Sequence, residues 1–178
     1  MSTNQPERGR KLTSILVSAL FAVIAPGTVA GWIPYWISRW RFEPPFFRLT
    51  ALRYLGAIFV AAGLLTLLET FSRFALQGLG SPAPVYPAQR LVVTGLYRYV
   101  RNPMYVGVLS AIFGQALLFG NATLLGYAAL IWAAFFVFVL VYEEPTLKAS
   151  FGSEYEGYCA HVPRWVPRLT PWTGASKT

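Results

Sequence analysis

Long stretches without charge alternate along this chain with short clusters of arginine, a pattern that predicts helices of membrane length. Leu12 to Ser38 carries no charged residue. At about 1.5 Å per residue such a helix reaches about 40 Å, more than a hydrocarbon core requires, so a tilt or a break is expected at Pro26-Gly27. The polar start Met1 to Lys11, with Arg8, Arg10 and Lys11, is like a signal peptide but leads to no small-residue cleavage site, so a retained first span is expected. Trp32, Tyr35, Trp36 and Trp40 beside Arg39 and Arg41 match a helix leaving the bilayer through an interfacial aromatic belt. A second span is predicted between Arg53 and Arg73, where Gly56 and Gly63 permit close helix approach. Glu69, four residues before Arg73, reads as its local ion-pair partner.

Asn102 to Tyr142 is again uncharged and suits two spans rather than one. Gly120-Asn121 supplies the turn, giving an antiparallel hairpin of Met104–Phe119 and Ala122–Tyr142 whose first arm is short enough to need local thinning of the bilayer. The tail from Glu143 onward is too polar to span. The predicted fold class is therefore all-α, a polytopic integral membrane protein of about four transmembrane helices with a C-terminal cytoplasmic cap. One membrane domain covers residues 1–178, with the N-terminal spans in 12–76. The arginine-rich loop 77–102, placed inside by the positive-inside rule, sets both termini in the cytoplasm. The segment from Arg39 to Arg53, with Arg39, Arg41, Arg48 and Arg53 against Glu43, then falls outside, contrary to the same rule.

Composition sharpens this picture. The chain is 55% hydrophobic and 12% charged, against about 25% charged for a soluble domain. Its net charge of +8 points, among so many apolar residues, to anionic lipid and the positive-inside rule, with no nucleic acid expected as partner. Cys159 and His161 are the single cysteine and histidine, which leaves no cysteine-based or multi-histidine metal site. The Gly78-Leu79-Gly80 triplet lacks the strand and helix context of a dinucleotide fingerprint.

The chemistry-bearing residues concentrate in two places. Glu143 and Glu144 stand side by side at the exit of the last apolar run, where the helix dipole and partial desolvation both oppose acids, so something positive should face them. Pro145 makes Glu144 an expected helix terminus. Arg98 and Arg101, three residues apart, share a face if helical, and the hairpin returns them to the membrane edge that carries the glutamates. Asn102-Pro103 is a predicted helix start, with asparagine as N-cap, whose free N–H groups suit an anionic ligand.

Gly95-x-Tyr97-x-x-x-Arg101-Asn102-Pro103-x-Tyr105-x-Gly107, followed after a helical hairpin by Glu143-Glu144, resembles the integral membrane methyltransferases that include isoprenylcysteine carboxyl methyltransferases and phospholipid methyltransferases. The resemblance covers Leu91 to Arg168. It implies S-adenosylmethionine as cofactor, a cofactor-binding half over residues 88–168, and a pocket open to cytosol and lipid. The implied cofactor-binding residues are Tyr97, Arg98, Arg101, Asn102, Pro103, Tyr105, Gly107, Glu143, Glu144, Tyr155 and Tyr158, with Arg101 and Glu144 catalytic. The cofactor's carboxylate suits arginine or helix N–H groups, its ribose a carboxylate, its adenine aromatic rings. The implied partner is a membrane lipid or a lipidated small molecule, and the implied location an inner membrane with the site facing the cytoplasm. Isoprenylcysteine enzymes commonly carry histidine where this chain has Asn102, while phospholipid N-methyltransferases resemble it in Asn-Pro-Met-Tyr and Tyr-Glu-Glu-Pro, which leaves the acceptor open. The stretch Gly152 to Arg168 reads as an amphipathic helix and an aromatic, basic cap over the site. Two other readings stand beside this one. A channel or transporter subunit conflicts with ionisable groups gathered at one edge and absent from the last spans, and a sterol-reductase-like oxidoreductase, with a nicotinamide cofactor, conflicts with the short chain.

Overall fold

A computed structural model describes Leu20 and residues 24–77 and 91–174. The polar start, the expected first-span origin at Leu12, and the Gly78 to Arg90 part of the arginine-rich loop lie outside the described residues. Among the described residues the chain is helical with no strand. A helical segment over 24–38 contains a π-helical turn, Thr28–Trp32, and ends as α1 (Ile33–Ser38). Then come α2 (Ala51–Gln77), a single 3₁₀ turn Gly95–Arg98, α3 (Pro103–Phe119), α4 (Ala122–Phe138), a π-helical turn Val139–Glu143, α5 (Glu144–Phe151) and α6 (Ser153–His161). Two helical runs, Ala51–Arg73 and Ala122–His161, are long and apolar enough to cross a membrane, and α3 is a shorter apolar helix. Only 17% of each long apolar window is buried inside the molecule, so these helices present their side chains outward, the reverse of a soluble core helix.

The helices are held together where side chains are smallest. A Cβ added to Gly56 would stand 2.5 Å from Leu118 N and 2.6 Å from Gly114 O, and one added to Gly63 would stand 2.6 Å from Gly107 O. The backbones of α2 and α3 therefore touch along one seam, with Ser110 Oγ donating to Phe59 O at 2.8 Å between the two glycine levels. Without a hydrophobic force to drive them together in lipid, close packing and such hydrogen bonds are what associate the helices. Gly107, implied by resemblance as a cofactor residue, lies on this seam.

The first segment keeps its helical form through Pro26-Gly27, where a break was expected, and departs from α geometry just after, in the turn Thr28–Trp32. Ile33 N donates to Thr28 O instead of Val29 O, and Pro34 has no N–H to give to Ala30 O. Two carbonyls are thus left without intrahelical donors. The hairpin supplies both: Tyr127 Oη donates to Val29 O at 2.9 Å and Gln115 Nε2 to Ala30 O at 2.7 Å. Gln115 Oε1 in turn accepts from Trp40 Nε1 at 3.3 Å. Gln115→Leu removes the partners of a part-buried carbonyl and an indole N–H and is expected to destabilise the bundle by about 1 kcal/mol, read as a lower Tm of the purified protein in detergent; an unchanged Tm would show that water fills both places.

The hairpin turn packs against the loop after α1. Gly120 adopts φ +72°, and a Cβ there would lie 2.4 Å from Pro44 O, so only glycine fits. Asn121 caps α4 by accepting from Leu124 N at 3.0 Å while its Nδ2 donates to Glu43 Oε1 at 2.7 Å. At the other end the expectation for Glu144 is corrected. Its backbone is helical (φ −62°, ψ −45°) and its N–H donates to Val139 O, five residues back. The wider turn carries the helix past Pro145, which takes an N-terminal position of α5, because a π turn relieves the clash and lost bond that a proline imposes on an α-helix.

Candidate active site

The end of the bundle opposite Gly120 is where the charge gathers. Residues 98–101 and the tail after α6 run alongside one another, tied by Arg101 N to Pro163 O at 2.9 Å, Arg168 N to Tyr99 O at 3.0 Å and Trp172 N to Arg98 O at 2.9 Å. Tyr155, Tyr158 and Val162 form a buried cluster, with Leu91, Val93, Leu147, Phe151, Cys159 and Trp172 packed on it, that anchors both segments. Tyr158 Oη donates to Tyr97 O at 2.7 Å. Burial pushes the Tyr158 phenol well above its ordinary pKa, with Arg101 pulling the other way, so it remains a donor.

Glu144 stands at the centre. Its Oε1 lies 3.2 Å from Arg101 Nη1 and 2.6 Å from Arg164 Nε, and its Oε2 lies 2.9 Å from Arg164 Nη2. Arg164 therefore grips the carboxylate with two parallel hydrogen bonds, the strongest geometry available to such a pair. These bonds raise the Arg164 pKa further. The three side chains are 12% (Arg101), 19% (Glu144) and 30% (Arg164) exposed, enough shelter for the charges to matter more than surface pairs do. Arg101 Nη1 also donates to Cys159 Sγ at 2.8 Å.

Glu143 faces elsewhere, accepting from Tyr105 Oη at 2.7 Å. The Tyr105 ring lies 4.6 Å from the Phe135 centroid and 6.5 Å from Trp165, which itself stacks on Phe136 at 6.3 Å. Asn102 occupies the N-cap position of α3, with Pro103 buried behind it, but its side chain makes no capping bond and donates instead to Arg164 O at 3.1 Å. The bond to the tail carbonyl uses Nδ2 and fixes the orientation of the buried amide, and Oδ1, the atom that would cap, makes no capping bond.

Arg101, Glu143, Glu144, Asn102, Pro103 and Tyr105 thus converge, with Tyr155 and Tyr158 packed behind. Arg98, expected to face the glutamates, instead donates from Nε to Trp172 O at 2.8 Å. Tyr97 sits close enough to the site that Glu143 adds to the upward push which burial gives its phenol. Behind it, the Glu69–Arg73 pair forms as the spacing predicts. Gly95, at φ +56°, lies directly on that pair, where a Cβ would stand 1.9 Å from Arg73 Nε. Cys159 is left out by the sequence reading, and Arg164 and Trp165, read there only as part of the aromatic, basic cap, enter the cluster itself. No spacing rule ties an arginine in a proline-containing tail to a carboxylate 20 residues earlier.

Apolar helices turned outward, with charged groups drawn together at their ends, are those of a helical integral membrane protein. Residues 52–154, more than half of the chain, match the model of the family described as phospholipid methyltransferase, and the chain belongs to that family. It is also similar to a protein-S-isoprenylcysteine O-methyltransferase of Schizosaccharomyces pombe, 40% identical over 79 residues, which is 44% of this chain and 34% of that protein. A protein-S-isoprenylcysteine O-methyltransferase B of Arabidopsis thaliana is 35% identical over 79 residues, 44% of this chain and 40% of the relative. The match thus spans well under half the length of either relative. The family match ends within α6, so Arg164 and Trp165 lie beyond it.

Proposed function

We propose that this protein transfers a methyl group from S-adenosylmethionine to a lipid-like or prenylated acceptor at the cytoplasmic face of an inner membrane. In this reading the chain is one membrane domain with four spans, its cofactor-binding half lies in residues 88–168, and the C-terminal segment caps the site. The observation that carries it is the meeting of Arg101, from the central loop, with Glu144, from beyond the last apolar run, at 3.2 Å.

The donor set suits the cofactor. Arg101 Nε and Trp165 Nε1 are buried without a hydrogen-bond partner among the described residues, so two donors at this site are ready for an acceptor-rich molecule. Arg101 and the N–H groups at the start of α3 would take the methionine carboxylate and Glu144 the ribose hydroxyls. Tyr105 and Trp165 offer aromatic faces to adenine, with Tyr97, Arg98, Asn102, Tyr155 and Tyr158 shaping the wall. When bound, the cofactor supplies an already activated methyl group, so the protein's task is to align and desolvate the acceptor. Arg164 and Trp165 bring the tail over Glu144 and exclude water. For a carboxylate acceptor no proton need move. For an amine, a carboxylate such as Glu144 would accept the proton or stabilise the ammonium, while Tyr105 holds Glu143 by its own hydrogen bond.

The test uses the full chain purified in detergent. Calorimetry with S-adenosylmethionine is expected to give saturable binding, and labelled-methyl transfer is expected to one of two acceptors, a farnesylated cysteine or an aminophospholipid. Absence of saturable binding, or saturable binding of a reduced nicotinamide cofactor in its place, would overturn the reading.

A further inference from the structure

The end of the bundle away from the candidate site carries charge that the site does not use. Arg39, Arg41, Arg48 and Arg53 face a single acid, Glu43, between residues 39 and 53. That acid is engaged elsewhere: its Oε1 accepts from Asn121 Nδ2 at 2.7 Å, and it takes part in no ion pair among the described residues. Arg39, Arg41 and Arg48 are exposed and Arg53 is half-buried; Arg53 Nη2 donates to the Glu43 backbone carbonyl, while its Nε is buried and unpartnered. Four arginines between residues 39 and 53 thus have no acidic side chain paired with them among the described residues.

Aromatic rings surround them. Trp36, Trp40, Phe42 and Phe47 are 53, 51, 63 and 89% exposed. The Arg39 guanidinium lies 4.0 Å from the Trp36 centroid and that of Arg53 5.1 Å from Phe42, so two of the four cations lie against exposed ring faces. The backbone is bent to build it. Arg39, Trp40, Phe47 and Arg48 all have positive φ, between 48° and 59°, a conformation side chains of this bulk avoid. Each strained pair joins one arginine to one aromatic. The surface continues into the outward apolar face of α2, with Tyr54 at 71% and Ile58 at 64% exposure.

We propose that residues 39–53 form a binding surface for anionic phospholipid headgroups in the leaflet away from the candidate site. The charge selects an anion, and the exposed rings running into an apolar helix face select one that is part of a bilayer rather than a free ion: Trp and Phe settle at the headgroup boundary while guanidiniums reach phosphates. The same surface accounts for the arginine surplus on the face where the positive-inside rule predicts none. The inference depends on the membrane placement of the helices and not on the methyl-transfer reading.

Full-length protein reconstituted in phosphatidylcholine vesicles, with trace spin-labelled phosphatidylglycerol or phosphatidylcholine, tests it. The fraction of each label immobilised at the protein measures selectivity. Wild type is expected to prefer phosphatidylglycerol, and the preference should fall about threefold or more in Arg41→Gln/Arg48→Gln, hold in Arg41→Lys/Arg48→Lys, and survive added inorganic phosphate. Equal selectivity in the glutamine variant, loss in the lysine variant, or displacement by inorganic phosphate would each overturn the proposal. Calorimetry with S-adenosylmethionine on the same samples reports separately on the candidate site and is expected not to change.

Discussion

Glu144→Gln is expected to lower methyl transfer by about 100-fold or more, because it removes the one charge that holds Arg101 and Arg164 in register, and misplacing a positioning group by about 1 Å can cost a factor of that size. Two guanidiniums would then face each other across a neutral amide at the most sheltered part of the charged site. Breaking a buried pair by removing one partner costs on the order of 3 kcal/mol, so Tm should fall together with activity. A purely structural role is separated by a second variant, Arg164→Gln. This leaves Glu144 its contact with Arg101 but releases the tail, and the expected outcome is a raised KM for S-adenosylmethionine with partial turnover retained. If both variants turned over at the wild-type rate, Glu144 would have no part in the chemistry.

The second large effect concerns the α2–α3 seam. Gly56→Ala adds a single methyl group where a Cβ would meet Leu118 N at 2.5 Å and Gly114 O at 2.6 Å. Both obstacles are helix backbone and cannot rotate aside, so the two helices must separate along their length and forfeit contacts at Gly63 and Gly107 as well. Overpacking of this kind costs about 1–3 kcal/mol, and in lipid no hydrophobic force restores the contact. Gly126→Ala is the control. Nothing lies within 4 Å of a Cβ at that position, and replacing a helical glycine by alanine stabilises by about 0.5–1 kcal/mol. Thermal unfolding in detergent should move the two variants in opposite directions. A fall in Tm at both positions would mean that the seam is not what holds the bundle.

Much of the candidate site was legible before any fold was known. Two acids at the exit of an apolar run demand a counter-charge on electrostatic grounds alone, and the arginine that meets one of them, Arg101 at Glu144, lies in the loop that a returning hairpin brings to the same edge. Its neighbour Arg98 illustrates the limit. A spacing of three places residues on one face only in a continuous helix, and the 3₁₀ turn ends at Arg98 while α3 begins at Pro103, so the two side chains diverge. Asn102 carries the residue type of an N-cap, yet its amide is oriented by a tail carbonyl 62 residues away and its oxygen does not cap the helix. Pro145 carries the signal of a helix end, yet one residue inserted as a π turn passes it without a break.

What the order of residues determined by itself was local and one-dimensional: which stretches are too apolar for water, where glycine and asparagine turn the chain, and which charges would be unstable alone. These follow from solvation and backbone sterics, which act on neighbours along the chain. The tertiary fold decided which partner each charge receives. Arg164 reached Glu144, Gln115 the carbonyl that Pro34 leaves open, and Gly107 the seam with Gly63. Such choices depend on competition in space among donors with similar intrinsic strength, and it is packing, not sequence distance, that ranks them.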